Sequence, residues 1–454
     1  MAPVSTLRHT VVLGGGVAGL TAAVALTRAG RLVTLIERRA ELGGKAGSYR
    51  PPGIFQWVDH CPHVLLGACT SQRWLYEQLG VGDLISWHDR LPLRAGDEAG
   101  ELLAQPSLPP PFNLAQGLLG LPGLTPRDLA TLAAAMTKIS VARPPWPDDQ
   151  TFAAWLGPLT TPTLDRGFWS LLLRSVLNAS ADEASARYGL LFFRHGLLHH
   201  RDAWHLGVPR CPLRTLHHVA PRAWLARHGG QVVLGQAGSV ALGPSGFVVR
   251  AGAEEFVADE VVLALTPTQA RRALDPALTA RVGGALDVDL EAGSIVGAHL
   301  WFAEPVDLPP VTGLFDAELD WVFRHDGGRR LAVVASTADA WQGLSPAGQA
   351  ERAWRTLRQH WPRLPAPVAT AACREARATF VPRPGLEARR PGPVTGVPGL
   401  VLAGAWTATG WPATMEGAAR SGLAAASALV GADLSVPDLP AQGVYRLTCR
   451  TSRR

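Results

Sequence analysis

HTVVLGGGVAGLTAAVALTRAGRLVTLIERRAELGGKAG, residues 9–47, is the stretch that decides the fold. Thr10–Leu13 is an apolar run of strand length, and Gly14-Gly15-Gly16-Val17-Ala18-Gly19 supplies the pattern G-x-G-x-x-G. An Ala-rich helical stretch, Leu20–Ala29, then stops at Gly30. Gly14 permits a tight turn, Gly16 lets a diphosphate approach the backbone, and Gly19 lets the helix close on the strand. Val17 and Ala18 lie in this turn, and the N-terminus of the helix after it would face a phosphate with free N–H groups and a positive dipole end. A second strand, Arg31–Ile36, ends in Glu37. That acid is placed to accept hydrogen bonds from a ribose and would repel a 2′-phosphate, which disfavours NADP. The stretch reads as a dinucleotide-binding unit.

The chain has 454 residues, 47% apolar and 18% charged, enough for two or three packed domains. No apolar run reaches the length of a membrane span. The first strand begins so early that no signal peptide is expected. Five scattered cysteines (Cys61, Cys69, Cys211, Cys373, Cys449) offer neither a CxxC pair nor a disulfide framework, so a reducing cytoplasm is expected. The net charge of +6 does not read as nucleic-acid binding: the only lysines are Lys45 and Lys138, and the arginines are spread along the chain. Attraction to anionic lipid stays open. The closing RLTCRTSRR, 446–454, reads as a frayed basic tail.

After Glu37 come Arg38-Arg39-Ala40-Glu41-Leu42-Gly43-Gly44-Lys45-Ala46-Gly47. A glycine doublet with a cation just beyond the ribose-binding acid resembles the FAD-binding flavoprotein amine oxidase and phytoene desaturase superfamily. FAD bound in extended form needs a second close backbone approach, which small residues allow. Pro412 and the run from Ala413 open an Ala-rich helix, and in this superfamily the C-terminal stretch Gly404-Ala405-Trp406 and Thr414-Met415 lie along the ribityl chain and flavin. A residue placed like Val240 clamps the adenine through its backbone, although a strand valine can equally be core. The resemblance implies an α/β fold: a discontinuous Rossmann-like FAD-binding domain with an α+β substrate domain inserted. The expected pieces are FAD-binding at 1–70, 207–270 and 391–435. Substrate-domain pieces are expected at 71–206, mainly helical, and at 271–390, sheet plus helix, with a tail at 436–454.

Three stretches narrow the branch. Val58-Asp59-His60-Cys61-Pro62-His63-Val64-Leu65-Leu66-Gly67 resembles the D-x-G-x-H-V-L-L-G of the hydroxysqualene dehydroxylases. Leu177–Ala186, LNASADEASA, resembles their L-N-x-x-x-x-x-A-S-A, and Gly410–Gly422 resembles their tail. The likeness implies a flavoenzyme acting on an apolar C30 isoprenoid: hydride from reduced flavin replaces an allylic hydroxyl, which departs as water. The same fold and cofactor serve carotenoid desaturases or isomerases, with hydride running the other way. A flavin-binding subunit without catalysis is a further alternative. Nothing in the sequence names the electron donor.

His63 is the first choice as proton donor, as an imidazolium near neutral pH, with Asp59 beside it; a hydrogen bond to the flavin is the alternative. Trp57, Trp406 and Trp411, near the cofactor motifs, offer faces to an allylic cation or are core aromatics. His199, His200 and His205 lack metal-ligand spacing. Two departures stand out. Ala405 replaces the family's Asp, and Cys61 replaces its Gly, as either an inert buried thiol or a flavin contact. A bilayer-resident substrate implies peripheral membrane contact, for which Leu114–Leu124 is the best stretch, with a buried helix-loop as the alternative.

Overall fold

The computed structural model describes residues 7–315 and 317–447. The basic tail therefore falls almost wholly outside the described residues. At the centre lies a five-stranded sheet ordered Gln231–Leu234, Leu32–Glu37, His9–Leu13, Glu260–Leu263 and Leu400–Leu402. Every neighbouring pair is parallel. Its strands come from the two ends and the middle of the chain. They are near-continuous apolar runs because a parallel sheet is covered on both faces. Val12, Leu35, Val262 and Val401 pack toward helices Val17–Arg28 and Met415–Val430. Val11, Leu13, Ile36 and Leu263 pack the other way. There they meet an antiparallel sheet of Gly238–Gly243, Gly246–Ala251 and Glu254–Ala258.

The two helices touch backbone to backbone. A Cβ on Gly422 would lie 2.3 Å from the carbonyl oxygen of Ala18 and 2.9 Å from the amide of Ala22. Two further points of attachment are ionic. Buried Glu260 takes Arg31 at 3.0 Å, and buried Glu416 accepts the amides of Ser71 and Gln72 at the start of helix Thr70–Leu79.

The second domain is built on a seven-stranded sheet ordered Ala369–Phe380, Ala292–Trp301, Arg330–Ser336, Trp321–His325, Val311–Phe315, Arg90–Ala95 and Glu98–Leu103. It is antiparallel except where Val311–Phe315 meets Arg90–Ala95. Strand alternation sets its two faces. Val296, Ala298 and Leu300 pack under helix Pro346–His360, whereas Gly297 and His299 turn toward residues 59–61. The chain has the discontinuous Rossmann-like α/β architecture with an inserted α+β domain.

Several elements differ from the sequence reading. The segment expected to be mainly helical also carries the hairpin Arg90–Leu103, which extends the second sheet. The strand Ala369–Phe380 escaped notice because ATAACREARATF is rich in helix formers; pairing along Ala292–Trp301 overrides that local preference. The apolar run Phe256–Leu265 divides into two strands belonging to different sheets. The last helix begins at Met415 rather than Ala413, because Thr414 caps it by accepting the Gly417 amide. Among the described residues no helix is long and apolar enough to cross a membrane.

Gly422→Ala should destabilise the protein by about 1–3 kcal/mol through overpacking, seen as a lower thermal midpoint. Gly284→Ala, where an added Cβ meets nothing within 4 Å, should leave it unchanged. Equal midpoints would contradict the helix contact.

Candidate functional site

Two glycine turns interlock at the C-terminal edge of the first sheet. In the first, Gly14 has φ +105°, and a Cβ there would meet the Ala264 carbonyl oxygen at 2.3 Å; one on Gly19 would lie 1.9 Å from the Gly14 oxygen. Gly16, by contrast, has open space, with the nearest atom to an added Cβ 4.0 Å away. Gly16 also caps the helix Val17–Arg28 without a side chain, and no acid stands in its first turn. The N–H groups there are left for an outside acceptor. Val17 and Ala18 are buried with this first turn of helix.

The second turn leans on the first. The Gly43 amide donates to the Gly15 oxygen at 2.8 Å, and a Cβ on Gly44 would come within 3.1 Å of the Gly16 Cα. Glu37 is buried and accepts the Gly15 amide at 2.8 Å and the Arg39 amide at 2.9 Å, one on each carboxylate oxygen. Each oxygen keeps a lone pair for a ribose hydroxyl.

Three side chains hold the second turn, and sequence reading singled out none of them. Arg39 donates to the Gly44 oxygen at 3.2 Å and, like the neighbouring Arg38, is exposed. His217 donates from Nδ1 to the Ala46 oxygen at 2.7 Å and accepts Tyr76 Oη at Nε2, 2.9 Å away. His218 Nδ1 accepts the Leu42 amide at 3.0 Å. Lys45 lies exposed, its ammonium 3.3 Å from the Ala378 oxygen.

The other expected cofactor residues occupy varied positions. Val240 is buried in its strand, its carbonyl accepting the Asp275 amide at 3.0 Å. Gly404 ends the strand Leu400–Leu402 with φ +148°, its amide on Ser421 Oγ at 2.8 Å. The Ala405 oxygen accepts from Arg390, and the Trp406 indole is core, donating to the Leu265 oxygen at 2.9 Å. Thr414 is the helix cap, and Met415 is half-buried against the helix core.

Residues 59–63 cross beneath the second sheet. A Cβ on Gly297 would sit 2.4 Å from the His60 oxygen and 2.5 Å from the Cys61 Cα, so that strand lies directly on this backbone. Asp59 Oδ1 accepts both Ser48 Oγ at 2.6 Å and the Leu213 amide at 2.8 Å. Burial nevertheless pushes the Asp59 carboxyl above the usual carboxylate range. His299 donates from Nε2 to the Asp59 oxygen at 2.8 Å, and Arg330 donates to its Nδ1. Burial and that guanidinium hold His299 neutral, down at about 3.

His63 Nδ1 lies 2.8 Å from the Cys61 oxygen, which can only accept, so that nitrogen carries the proton. Burial lowers the His63 pKa. It rests as neutral imidazole with Nε2 bare, a correction to the imidazolium expected near neutral pH. Cys61 is buried and its thiol pushed up to about 12, so it rests as a thiol. Beside it, His60 stacks on Tyr49 with centroids 5.3 Å apart. Tyr49 Oη is buried without a hydrogen-bond partner, as expected of a group that awaits a ligand.

The three named tryptophans do not offer free faces. Arg50 and Arg214 sit over Trp57 at 5.0 and 4.6 Å, Arg420 sits over Trp411 at 4.4 Å, and Trp406 is core. Resident guanidiniums already use the rings from which a cation-stabilising wall was expected. The aromatic mass lies instead in the helical part of the second domain, where Phe152, Phe168, Trp169 and Phe193 pack with centroids 4.9–6.2 Å apart.

Residues 17–430 match the model of the family described as flavin-containing amine oxidoreductases. The hydroxysqualene dehydroxylase of Rhodopseudomonas palustris is 30% identical over 93% of this chain and 98% of its own. That of Sinorhizobium fredii is 27% identical over 92% and 97%. The chain belongs to the flavin-containing amine oxidoreductases, in their hydroxysqualene dehydroxylase branch. An oxidoreductase of Methanosarcina mazei has the same fold, with TM-score 0.69 at 16% identity over 91% of this chain and 98% of that one. The protein is a flavin-dependent oxidoreductase. The fit to such a group is visible in its own residues: open space at Gly16, an uncapped helix start, and a buried Tyr49 hydroxyl without a partner.

Burial lowers His217 from 6.5 to about 4. The unfolded chain therefore binds a proton between those values that the folded chain does not. Stability is complete above about 6.5 and is lost as pH falls toward about 4. His217→Gln should flatten unfolding free energy against pH across that window, by up to about 3 kcal/mol; denaturant melts at stepped pH measure it. An unchanged slope would contradict the assignment.

Proposed function

We propose that this enzyme binds FAD and, with the flavin reduced, converts hydroxysqualene to squalene and water. The full-length likeness to hydroxysqualene dehydroxylases carries the reading. Two mutually supporting glycine turns, with Glu37 between them, support a dinucleotide over a mononucleotide: Gly14, Gly16 and Gly19 with Gly43 and Gly44 flank the diphosphate, and Glu37 takes the ribose. Val240 at the adenine and Gly404, Ala405, Thr414 and Met415 along the ribityl chain complete the assignment.

Reduced FAD supplies the hydride. The chain must supply the proton that lets hydroxide, a poor leaving group, depart as water. Asp59 fits that task better than His63. Both of its hydrogen-bond donors converge on Oδ1, which leaves Oδ2 open to a proton, and burial raises the carboxyl above the usual carboxylate range. His63, held by its Nδ1–H on the Cys61 oxygen, keeps Nε2 free to accept a proton. The Cys61 thiol stays protonated, which lowers its reactivity toward an allylic cation.

Delivery of a bilayer-resident C30 alcohol calls for peripheral contact with one leaflet. Within the expected stretch, Leu114, Gly117 and Leu121 turn into the core, but Leu119 is 65% exposed and the adjoining Phe112 53%. Those two side chains are the proposed contact.

Anaerobic incubation of the FAD-loaded, chemically reduced protein with hydroxysqualene should yield squalene. The oxidised protein with phytoene should yield no new conjugated double bonds; the opposite pattern would favour the desaturase reading. Asp59→Asn should lower turnover by at least tenfold with FAD retained. Phe112→Ser with Leu119→Ser should slow only vesicle-borne substrate, not substrate in detergent; equal slowing in both would sink the membrane contact.

A further inference from the structure

Arg390 has no exposed side-chain surface, and its guanidinium meets parts of the chain distant in sequence. Nη2 donates to the Ala405 oxygen at 2.9 Å, to the Thr407 oxygen and to Thr409 Oγ1 at 3.3 Å. Nε reaches the Trp406 oxygen at 3.4 Å, and Nη1 reaches the Trp411 oxygen at 2.7 Å. Nη1 also meets Tyr188 Oη and Glu387 Oε2, each at 2.7 Å, and Tyr188 donates to that same carboxylate. The next residue adds one more tie, since the Pro391 carbonyl accepts the Ala408 amide.

Four backbone carbonyls aimed at one point repel one another unless a cation sits there. Only a planar group with five N–H donors can serve so many acceptors at once. The loop so gathered, 404–411, is the one that the flavin reading places along the ribityl chain, and at Ala405 it lacks the family's carboxylate. The Tyr188 side of the cluster explains a motif otherwise unused. Ser185, from the A-S-A of Leu177–Ala186, caps the short helix bearing Tyr188 and donates to Asp148, whose other oxygen accepts the Glu387 amide.

We propose that Arg390 is the positioning residue for the flavin: it fixes the shape of loop 404–411 from behind, its own charge balanced by Glu387. The inference rests on the FAD reading above. Arg390→Lys keeps the charge but cannot span the carbonyls. It should weaken FAD binding at least tenfold and blur the resolved shoulder of the bound flavin's absorption band near 450 nm. Tyr188→Phe removes one hydroxyl and leaves every loop carbonyl served, so FAD affinity should stay within threefold and the band should keep its shape.

FAD titration, visible spectra and apo-protein melts on the full chain read all three proteins. Arg390→Lys protein that binds FAD within threefold of wild type, with an unaltered band, overturns the proposal alone. So does Tyr188→Phe protein that loses FAD affinity and melting temperature in step with Arg390→Lys, because general loosening would then explain both. Wild-type protein that takes up no FAD overturns the flavin reading and this inference together.

Discussion

The carbonyl oxygen of Gly14 leaves no room for a side chain at position 19; a Cβ there would stand 1.9 Å from it. That approach sets how closely the first helix rides on its sheet, and so where its uncapped N-terminus points. A second glycine turn then rests on the first through the Gly43 amide and the bare Gly16 Cα. The helix Met415–Val430 can lie against Val17–Arg28 only because Gly422 is equally bare. Three chain segments are thus brought to one edge of the sheet by the absence of side chains, at a total of a few atoms. What is left beside them is open space at Gly16 and an uncapped helix start.

Around this frame the protein places charges where water does not screen them. Glu416 caps one helix from the first turn of another, Glu260 takes Arg31, and Arg390 gathers a whole loop. Buried ions of this kind add little net stability, but removing one partner is costly, so they select a single arrangement. The Asp59–His63 region follows a related logic in reverse. Burial there favours the uncharged form of each group, raising the Asp59 carboxyl and lowering the His63 imidazole.

The discontinuous α/β fold and the cofactor class were legible because their signals are local. Glycine spacing, a strand ending in Glu37 and an Ala-rich helix each occupy a dozen residues or fewer. The residues that hold those signals in place were not legible. Arg39 touches Gly44 five residues on, but His217 and His218 reach back across more than 160 positions, and Arg390 joins helix, loop and strand with no motif of its own. One arginine among many carries no mark of burial. The tryptophans were read as open faces or as core aromatics, and sequence proximity to a motif said nothing of the guanidiniums over Trp57 and Trp411. His299 had a usable signal, since alternation along Ala292–Trp301 puts it with Gly297 on the face opposite Leu300.

The central claim is that interlocked glycine turns form a cradle for the adenosine-diphosphate half of the flavin. Competitive fluorescence titration of apo-protein with FAD and with FMN tests it most directly. FAD should bind at least a hundredfold more tightly, because FMN leaves the turns and Glu37 without a partner. Equal affinity for the two, or uptake of neither, would contradict it.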